Sequence, residues 1–195
     1  MDNIQKLFEE SIKVKQKVLK TDAVETIEKM ALIIVTAIKN GHKLLLCGNG
    51  GSAADAQHLA AELVVRLRPE VNRRALPAIS LAMDSSVMTA CGNDFSFNDV
   101  FARSLEAVGQ SGDILLGIST SGNSENIRRA IEKAKEINIK TIAFLGCGGG
   151  EIKGLSNIEY VVPSDKTGRV QEVHIMLGHA LMETIENKLA NDGYI

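Results

Sequence analysis

Hydrophobic positions divide the chain into a helical N-terminal part and a longer part in which strands and helices alternate. In residues 2–40, apolar side chains recur at mostly helical spacing, as at Ile27, Met30 and Ile34, and this spacing predicts two helices. Gly41 follows the second pattern, and a glycine at that place is typical of a helix end. Five short apolar runs come next, at 43–47, 77–81, 113–118, 140–145 and 158–162.

These apolar runs predict a parallel sheet. Four of them are rich in Ile, Leu and Val with little alternation, which is typical of strands buried on both faces. Helical patterns separate most of the runs, at 52–66, 97–107, 123–137 and 168–190. The alternation predicts an α/β protein built as a three-layer αβα sandwich. We expect one domain, in which the N-terminal helices of residues 1–40 extend the α/β part at 41–195.

Composition limits the classes of function. The chain has 195 residues with 45% hydrophobic content, enough for a sizeable core, and a net charge of −2. That charge gives no reason to expect a nucleic-acid partner. No apolar run is long enough for a membrane span, so no membrane association is expected. Cys47, Cys91 and Cys147 have no CxxC spacing, which favours a reduced, cytoplasmic protein without a zinc ribbon.

A glycine-rich loop after the first predicted strand favours anion binding. Residues 47–52 read Cys-Gly-Asn-Gly-Gly-Ser and lead into a predicted helix, whose first N–H groups attract a phosphate. His58 and Glu62 follow at a spacing of four, which places them on one helix face. A phosphate site and a proton-transfer pair would then share one cleft. This arrangement indicates an enzyme that acts on a phosphorylated small molecule.

The same loop also matches GxGxxA, a dinucleotide-binding pattern. The next strand begins near Pro77, too far along the chain for the usual acidic residue about 20 positions after the motif. A lone match of this kind is weak evidence, so we do not favour a dinucleotide cofactor.

A second polar loop follows the third predicted strand. Residues 117–124 read Gly-Ile-Ser-Thr-Ser-Gly-Asn-Ser, so several hydroxyls surround one glycine. Hydroxyl and backbone N–H groups together can bind phosphate oxygens without a lysine. A serine-rich helix N-cap is the alternative interpretation.

The last predicted helix carries polar side chains in an apolar pattern. We interpret His174 as a packed or exposed ring without a functional role, whereas the flanking motifs make His179 a functional candidate. A divalent metal is plausible at His58, Glu62, Gln171 and His179. Gln171 and His179 are eight residues apart, about 12 Å along a helix. They share an ion only if both side chains lean toward it or if different subunits contribute them.

Several motifs, in this order, resemble those of the phosphoheptose isomerase family of sugar isomerase (SIS) domain proteins. They are Cys-Gly-Asn-Gly-Gly-Ser at 47–52, His58 with Glu62, Gly92-Asn93-Asp94, the loop at 117–124, and Arg169-Val170-Gln171-Glu172-Val173-His174 with His179. The resemblance covers nearly the whole chain. It implies a five-stranded flavodoxin-like sheet, a homotetramer with active sites at subunit interfaces, and conversion of sedoheptulose 7-phosphate to glycero-manno-heptose 7-phosphate for bacterial surface polysaccharide.

The resemblance also implies roles for individual positions. Glu62 and His179 would be the acid/base pair, and zinc would be held by His58, Glu62, Gln171 and His179. The substrate would contact Asn49, Gly50, Gly51, Ser52, Glu62, Asn93, Asp94, Ser119, Thr120, Ser121, Ser124 and Gln171. Gly168 stands where some members have an acidic residue, so one contact with a sugar hydroxyl differs here.

The sequence leaves two alternatives to this activity. SIS domain proteins include non-catalytic binding and regulatory proteins, among them a type associated with a replication initiator. Such a protein has no need of Glu62 and His179, so their presence favours an enzyme. An isomerase for a different sugar phosphate is the other alternative, and the loop shape around Asp94 and Arg66 would decide it.

Overall fold

A five-stranded sheet organises the structure. The computed structural model of the chain describes residues 2–195, so Met1 of the predicted N-terminal segment lies outside the described residues. The strands are β1 (Leu44–Gly48), β2 (Ala78–Ser80), β3 (Ile114–Ser119), β4 (Lys140–Leu145) and β5 (Ile158–Val161). All pair in parallel in the order β2-β1-β3-β4-β5. This flavodoxin-like order confirms the predicted sheet.

Helices cover both faces of the sheet. They are α1 (Asp2–Val18), α2 (Ala23–Lys39), α3 (Gly51–Ala61), α4 (Ser85–Asp94), α5 (Val100–Val108), α6 (Glu125–Glu136) and α7 (Thr167–Asn191). Within the described part of the chain, no helix has the length and apolar character needed to cross a membrane.

Two apolar cores lie on opposite faces of the sheet. The core on one face joins α2, α3 and α7 to the strands, with fully buried Met30, Leu59 and Leu181. The core on the other face joins α5 and α6, with fully buried Phe101 and Ile131. The predicted three-layer αβα sandwich is therefore confirmed. The division of the chain into an extension and a main part of one domain stays a prediction.

The two N-terminal helices differ in burial. One side of α2 is buried against α7 and the sheet. On α1, by contrast, Leu7, Phe8 and Ile12 are exposed at helical spacing. This stripe leaves apolar surface uncovered in the single chain.

The structure corrects two predicted helices and adds one that was not predicted. The helix predicted at 52–66 is α-helical only to Ala61 and continues as a π-helix, Glu62–Arg66. The helix predicted at 97–107 begins as a 3₁₀ turn, Phe97–Asp99, before α5. Helix α4 was not predicted, because only Cys91 of its residues is buried and the apolar periodicity is absent. Asp84 caps α4 by accepting from the N–H groups of Ser86 and Val87.

Candidate active site

The site lies where two neighbouring strands end. Strands β1 and β3 are adjacent in the sheet. From β1 the chain passes first to β2, on one side of β1, and then to β3, on the other side. A ligand crevice forms at such a reversal, outside the carboxyl ends of the strands. The loops that follow β1 and β3 are the two polar loops recognised in the sequence.

The first loop wraps the N-terminus of α3. Gly50 has φ 54°, a left-handed conformation that favours glycine over any residue with a Cβ. The amides of Ser52 and Ala53 bond back to the carbonyls of Asn49 and Gly50, which closes the turn. The Asn49 side chain exchanges two hydrogen bonds with Asn126 on α6, at 2.8 and 2.9 Å. This pair ties the first loop to the helix that follows the second.

The second loop is preorganised by its own hydroxyls. The Oγ atoms of Ser119 and Ser124 lie 2.9 Å apart, and Ser119 Oγ accepts from the Gly122 N–H. Ser121 Oγ accepts from the Asn123 N–H. The side chains of Ser121 and Ser124 are half-buried, as is that of Thr120. Ser124 is also the N-cap position of α6, although its side chain makes no capping hydrogen bond.

Titratable side chains converge between α3 and α7. The Nε2 atoms of His58 and His179 are 2.8 Å apart, and His58 Nε2 is 3.2 Å from Glu62 Oε1. One ligand atom from each of the three residues lies within 4.8 Å of the others. All three residues come from one chain. The sequence left two ways for Gln171 and His179 to share an ion: both side chains lean toward it, or different subunits contribute them. In the structure the His179 side chain leans toward the α3 residues.

A glycine allows this close approach. A Cβ built on Gly178 would lie 2.6 Å from Leu59 Cδ1, a distance that real Cβ atoms do not show. Leu59 and Gly178 directly neighbour the two histidines in sequence. The absence of a side chain at Gly178 therefore lets α3 and α7 pack closely enough for His58 and His179 to meet.

Asp55 belongs to this site, and sequence reasoning missed it. The buried Asp55 carboxylate accepts a 2.7 Å hydrogen bond from Gln171 Nε2, and its other oxygen is buried without a partner. Burial raises the pKa of Asp55, against the opposing effects of the Gln171 hydrogen bond and of His58 and His179. Its signal was available: Asp55 lies three residues before His58 and seven before Glu62 on the same helix.

Gln171 lies near the N-terminal ends of α3 and α7, the two helices that also carry His58 and His179. Its side chain lies near Gly51, where an added Cβ would be 3.5 Å from Gln171 Cγ. Because the amide nitrogen of Gln171 donates to Asp55, the amide oxygen is available to a ligand. Gln171 is thus hydrogen-bonded to Asp55, which lies about one turn before His58 on α3.

The remaining predicted substrate residues lie elsewhere. Asn93 and Asp94 end α4 as exposed side chains, and Asn93 donates to Asp94 Oδ1 at 2.7 Å. Among the described residues, no hydrogen bond or ion pair joins them to His58, Glu62 or His179. Asp94 instead borders an apolar cavity between α4 and α5, which Met83 and Arg103 also line.

His174 is packed in the core, which is one of the two states that the sequence left open for its ring. Its ring is fully buried, stacks near Phe144 and makes a 3.1 Å hydrogen bond from Nε2 to the Leu145 carbonyl. Burial lowers its pKa to about 4. The neutral ring therefore belongs to the core and not to the site.

The converging side chains fit a divalent cation. Two imidazole nitrogens and a carboxylate are the donor set of several catalytic zinc sites, which keep a further position open. The spread of at most 4.8 Å among the donor atoms of His58, Glu62 and His179 suits one shared ion. Asp55 accepts its hydrogen bond from Gln171, the fourth residue of the predicted metal set.

Comparisons with known proteins agree with this arrangement. A family model described as the SIS domain matches residues 7–146. The phosphoheptose isomerase of Clostridium acetobutylicum is 51% identical over 187 residues, covering 95% of this chain and 94% of that protein. The chain belongs to the SIS domain family and, within it, to the phosphoheptose isomerases.

Solved structures support the same membership. A phosphoheptose isomerase from Francisella tularensis superposes with a TM-score of 0.90 at 39% identity, covering 95% of this chain and 97% of that one. The phosphoheptose isomerase of Neisseria gonorrhoeae gives a TM-score of 0.88 at 40% identity, covering 95% and 98%. The fold is therefore shared with phosphoheptose isomerases along nearly the whole chain.

Proposed function

We propose that this protein is a phosphoheptose isomerase that converts D-sedoheptulose 7-phosphate to D-glycero-D-manno-heptose 7-phosphate. The observation that carries the proposal is the convergence of His58, Glu62 and His179 beside two loops built to bind phosphate. The named activity of relatives at about half identity supports the same substrate. The product suits a pathway to the heptose of bacterial surface polysaccharide.

The reaction moves a proton between adjacent carbons. A base removes a proton from C1 of the ketose, an enediol forms, and a proton is delivered to C2. We assign Glu62 as the base at carbon and His179 as the acid that protonates the carbonyl oxygen. His58, 3.2 Å from Glu62 and 2.8 Å from His179, orients both groups. The reverse assignment of acid and base uses the same geometry.

The phosphate end supplies binding energy away from the chemistry. We propose that Ser119, Thr120, Ser121 and Ser124 bind the phosphate with the N–H groups at the start of α6. In the structure the hydroxyls of Ser119, Ser121 and Ser124 bond to one another or to backbone amides, so the loop needs little rearrangement. Residues 49–52 and Gln171 would bind the sugar between the phosphate and the histidine cluster. Fixing the remote end places the reacting carbons.

We further propose a zinc ion held by His58, Glu62, His179 and the amide oxygen of Gln171. When bound, zinc would polarise the substrate carbonyl and stabilise the negative charge that develops on its oxygen. The hydrogen bond from Gln171 Nε2 to Asp55 favours this role because it engages the nitrogen end of the amide and leaves the oxygen end for a ligand.

We propose that the active protein is a homotetramer in the cytoplasm. The exposed apolar stripe of Leu7, Phe8 and Ile12 on α1 is the surface that a second chain would cover. Asn93 and Asp94, which do not reach the histidine cluster of their own chain, would complete a neighbour's site. Light scattering with activity on dilution tests this assembly, and a fully active monomer would contradict it.

Product formation tests the activity itself. Purified protein is incubated with sedoheptulose 7-phosphate, with and without a chelator, and the aldose is followed by NMR. We expect aldose in the untreated sample and much less after chelation. Binding of the sugar phosphate without any aldose would instead support a non-catalytic SIS domain protein. Conversion of only a different ketose phosphate would move the assignment to another substrate.

A further inference from the structure

The candidate base Glu62 lies at the point where α3 changes its winding. The helix is α-helical to Ala61 and π-helical from Glu62 to Arg66. The carbonyls of a last helical turn have no partner within the helix, so they need donors from elsewhere. Wide π turns are rare and occur often at functional sites. The backbone at Glu62 therefore depends on groups outside the helix.

Arg73 provides those donors. Its Nη2 donates to the Glu62 carbonyl at 2.7 Å, and its Nη1 donates to the Leu63 carbonyl at 2.8 Å and to the Arg74 carbonyl at 3.0 Å. The amide of Leu76 also donates to the Leu63 carbonyl. A positive charge at a helix C-terminus is also favoured by the helix dipole. The guanidinium thus caps the turn that carries Glu62.

Glu186 holds the same guanidinium from the opposite side. Arg73 Nε donates to Glu186 Oε1 at 2.6 Å, and each side chain is only 1% exposed. Glu186 lies on α7, seven residues or about two turns after His179. One buried ion pair therefore links the backbone of Glu62 to the helix that carries His179.

We propose that Arg73 is a positioning residue, which fixes Glu62 relative to His179 through the Glu62 carbonyl and Glu186. The proposal rests on the assignment of Glu62 and His179 as the acid/base pair. The planar guanidinium reaches three carbonyls, two of them in the π turn, and a carboxylate at once. A lysine keeps the charge but presents a single nitrogen, so it cannot reproduce that geometry.

The chain contains a matched control in Arg68. Its Nε donates to the other oxygen of Glu186 at 2.7 Å, and its Nη2 donates to the side chain of Asn187. No hydrogen bond joins Arg68 to the Glu62 or Leu63 carbonyl in the described residues. Arg68→Lys and Arg73→Lys therefore both weaken the contact with Glu186, but only Arg73→Lys weakens the cap on the turn.

Steady-state kinetics of the two lysine variants test the proposal. For Arg73→Lys we expect kcat to fall about 10-fold with KM within about 2-fold, because the bound substrate meets a misplaced base. We expect Arg68→Lys to keep kcat within about 2-fold. Both variants are first compared by thermal unfolding. Equal kcat in wild type and Arg73→Lys, or equal losses in the two variants, would overturn the positioning role.

Hydrogen exchange supplies a readout that needs no substrate. Peptides that cover residues 62–67 should exchange faster in Arg73→Lys than in Arg68→Lys, while peptides from β3 stay unchanged in both. Unchanged exchange at 62–67 in Arg73→Lys would overturn the cap. If wild-type protein fails to isomerise the heptose phosphate, the proposed activity fails, and this exchange measurement still decides whether Arg73 fixes the turn.

Discussion

The histidine cluster and the serine loop are built in opposite ways. His58, Glu62 and His179 come from two helices, and residues more than 100 positions apart meet at 2.8 Å. The serine loop is one short segment whose hydroxyls bond to their own neighbours, as Ser119 does to Ser124 at 2.9 Å. Long-range packing therefore fixes the first region, and local backbone geometry fixes the second.

This difference separates chemistry from binding. The cluster holds titratable groups whose relative positions decide proton transfer, so small displacements there should affect turnover. The loop holds neutral donors at a helix N-terminus, so losing one of them should affect affinity. Changes to each region should therefore alter different kinetic constants.

Removing the acid/base groups should give the largest effect. Glu62→Gln keeps the size of the side chain, and His179→Gln keeps part of its hydrogen bonding. Neither glutamine can take up or release a proton. We expect turnover to fall at least about 100-fold in each, with substrate binding largely kept. Steady-state kinetics and calorimetric titration measure the two quantities, and near-normal turnover in either variant would show that the assignment is wrong.

The subunit origin of the pair can be tested with the same variants. Because His179 and Glu62 meet within one chain, mixed assemblies of Glu62→Gln and His179→Gln chains should be no more active than the separate variants. Restored activity after mixing and reassembly would mean that the pair is drawn from different chains.

Changing the packing between α3 and α7 should give the next largest effect. In Gly178→Ala the new methyl collides with Leu59, which separates His58 from His179. We expect about a 10-fold loss of kcat from this overpacking. The double variant Gly178→Ala with Leu59→Ala removes the collision and should recover part of the loss. No recovery in a folded double variant would point away from helix separation as the cause.

The serine loop should affect affinity more than turnover. Replacing Ser119 and Ser121 by Ala removes two hydroxyls and leaves the backbone N–H groups of the loop. We expect KM and the Kd for free phosphate to rise about 10-fold, with kcat within about 3-fold. Thermal unfolding serves as the control. Unchanged affinity with reduced stability would leave only the N-cap interpretation of this loop.

The smallest predicted effect concerns stability and not catalysis. Burial lowers the pKa of His174 to about 4, so between pH 6.5 and 4 the unfolded chain binds a proton that the folded chain does not. Stability should therefore fall as the pH drops through this range, and this group should account for about 2 kcal/mol of loss by pH 5. Urea unfolding at pH 7.5 and pH 5 measures the change. The stability of His174→Gln should lack this part of the pH dependence. The same pH dependence in His174→Gln and wild type would contradict the prediction.

Much of the fold could be predicted because its signals are local. Five apolar runs corresponded to five parallel strands, and the burial of β1 and β3 on both faces explains why these runs do not alternate. Helix α4 was missed because it packs mainly through Cys91 and has little apolar periodicity. The π turn after Ala61 was missed because it is capped by Arg73, which lies 11 residues after Glu62. An apolar pattern gives no sign of such a polar contact.

The site could be predicted as a set of residues but not as contacts. Helical spacing placed His58 beside Glu62, whereas nothing in the pattern indicated that Gly178 allows His179 to reach them. Asp55 was missed because a single acidic residue on a mixed helix face resembles a solvent-exposed one. Its spacing to His58 placed it on the same helix face, but its burial and its bond to Gln171 are what show that it belongs to the site.

Solvent-deuterium incorporation tests the central claim most directly. Sedoheptulose 7-phosphate is converted in D₂O by wild-type protein and by Glu62→Gln, and deuterium at C2 of the aldose is followed by NMR. We expect deuterium in the wild-type product and a rate at least about 100-fold lower with Glu62→Gln, because Glu62 removes the C1 proton, exchanges it with the solvent at the enediol stage and delivers deuterium to C2. Deuterium entering at the wild-type rate in Glu62→Gln would contradict the account.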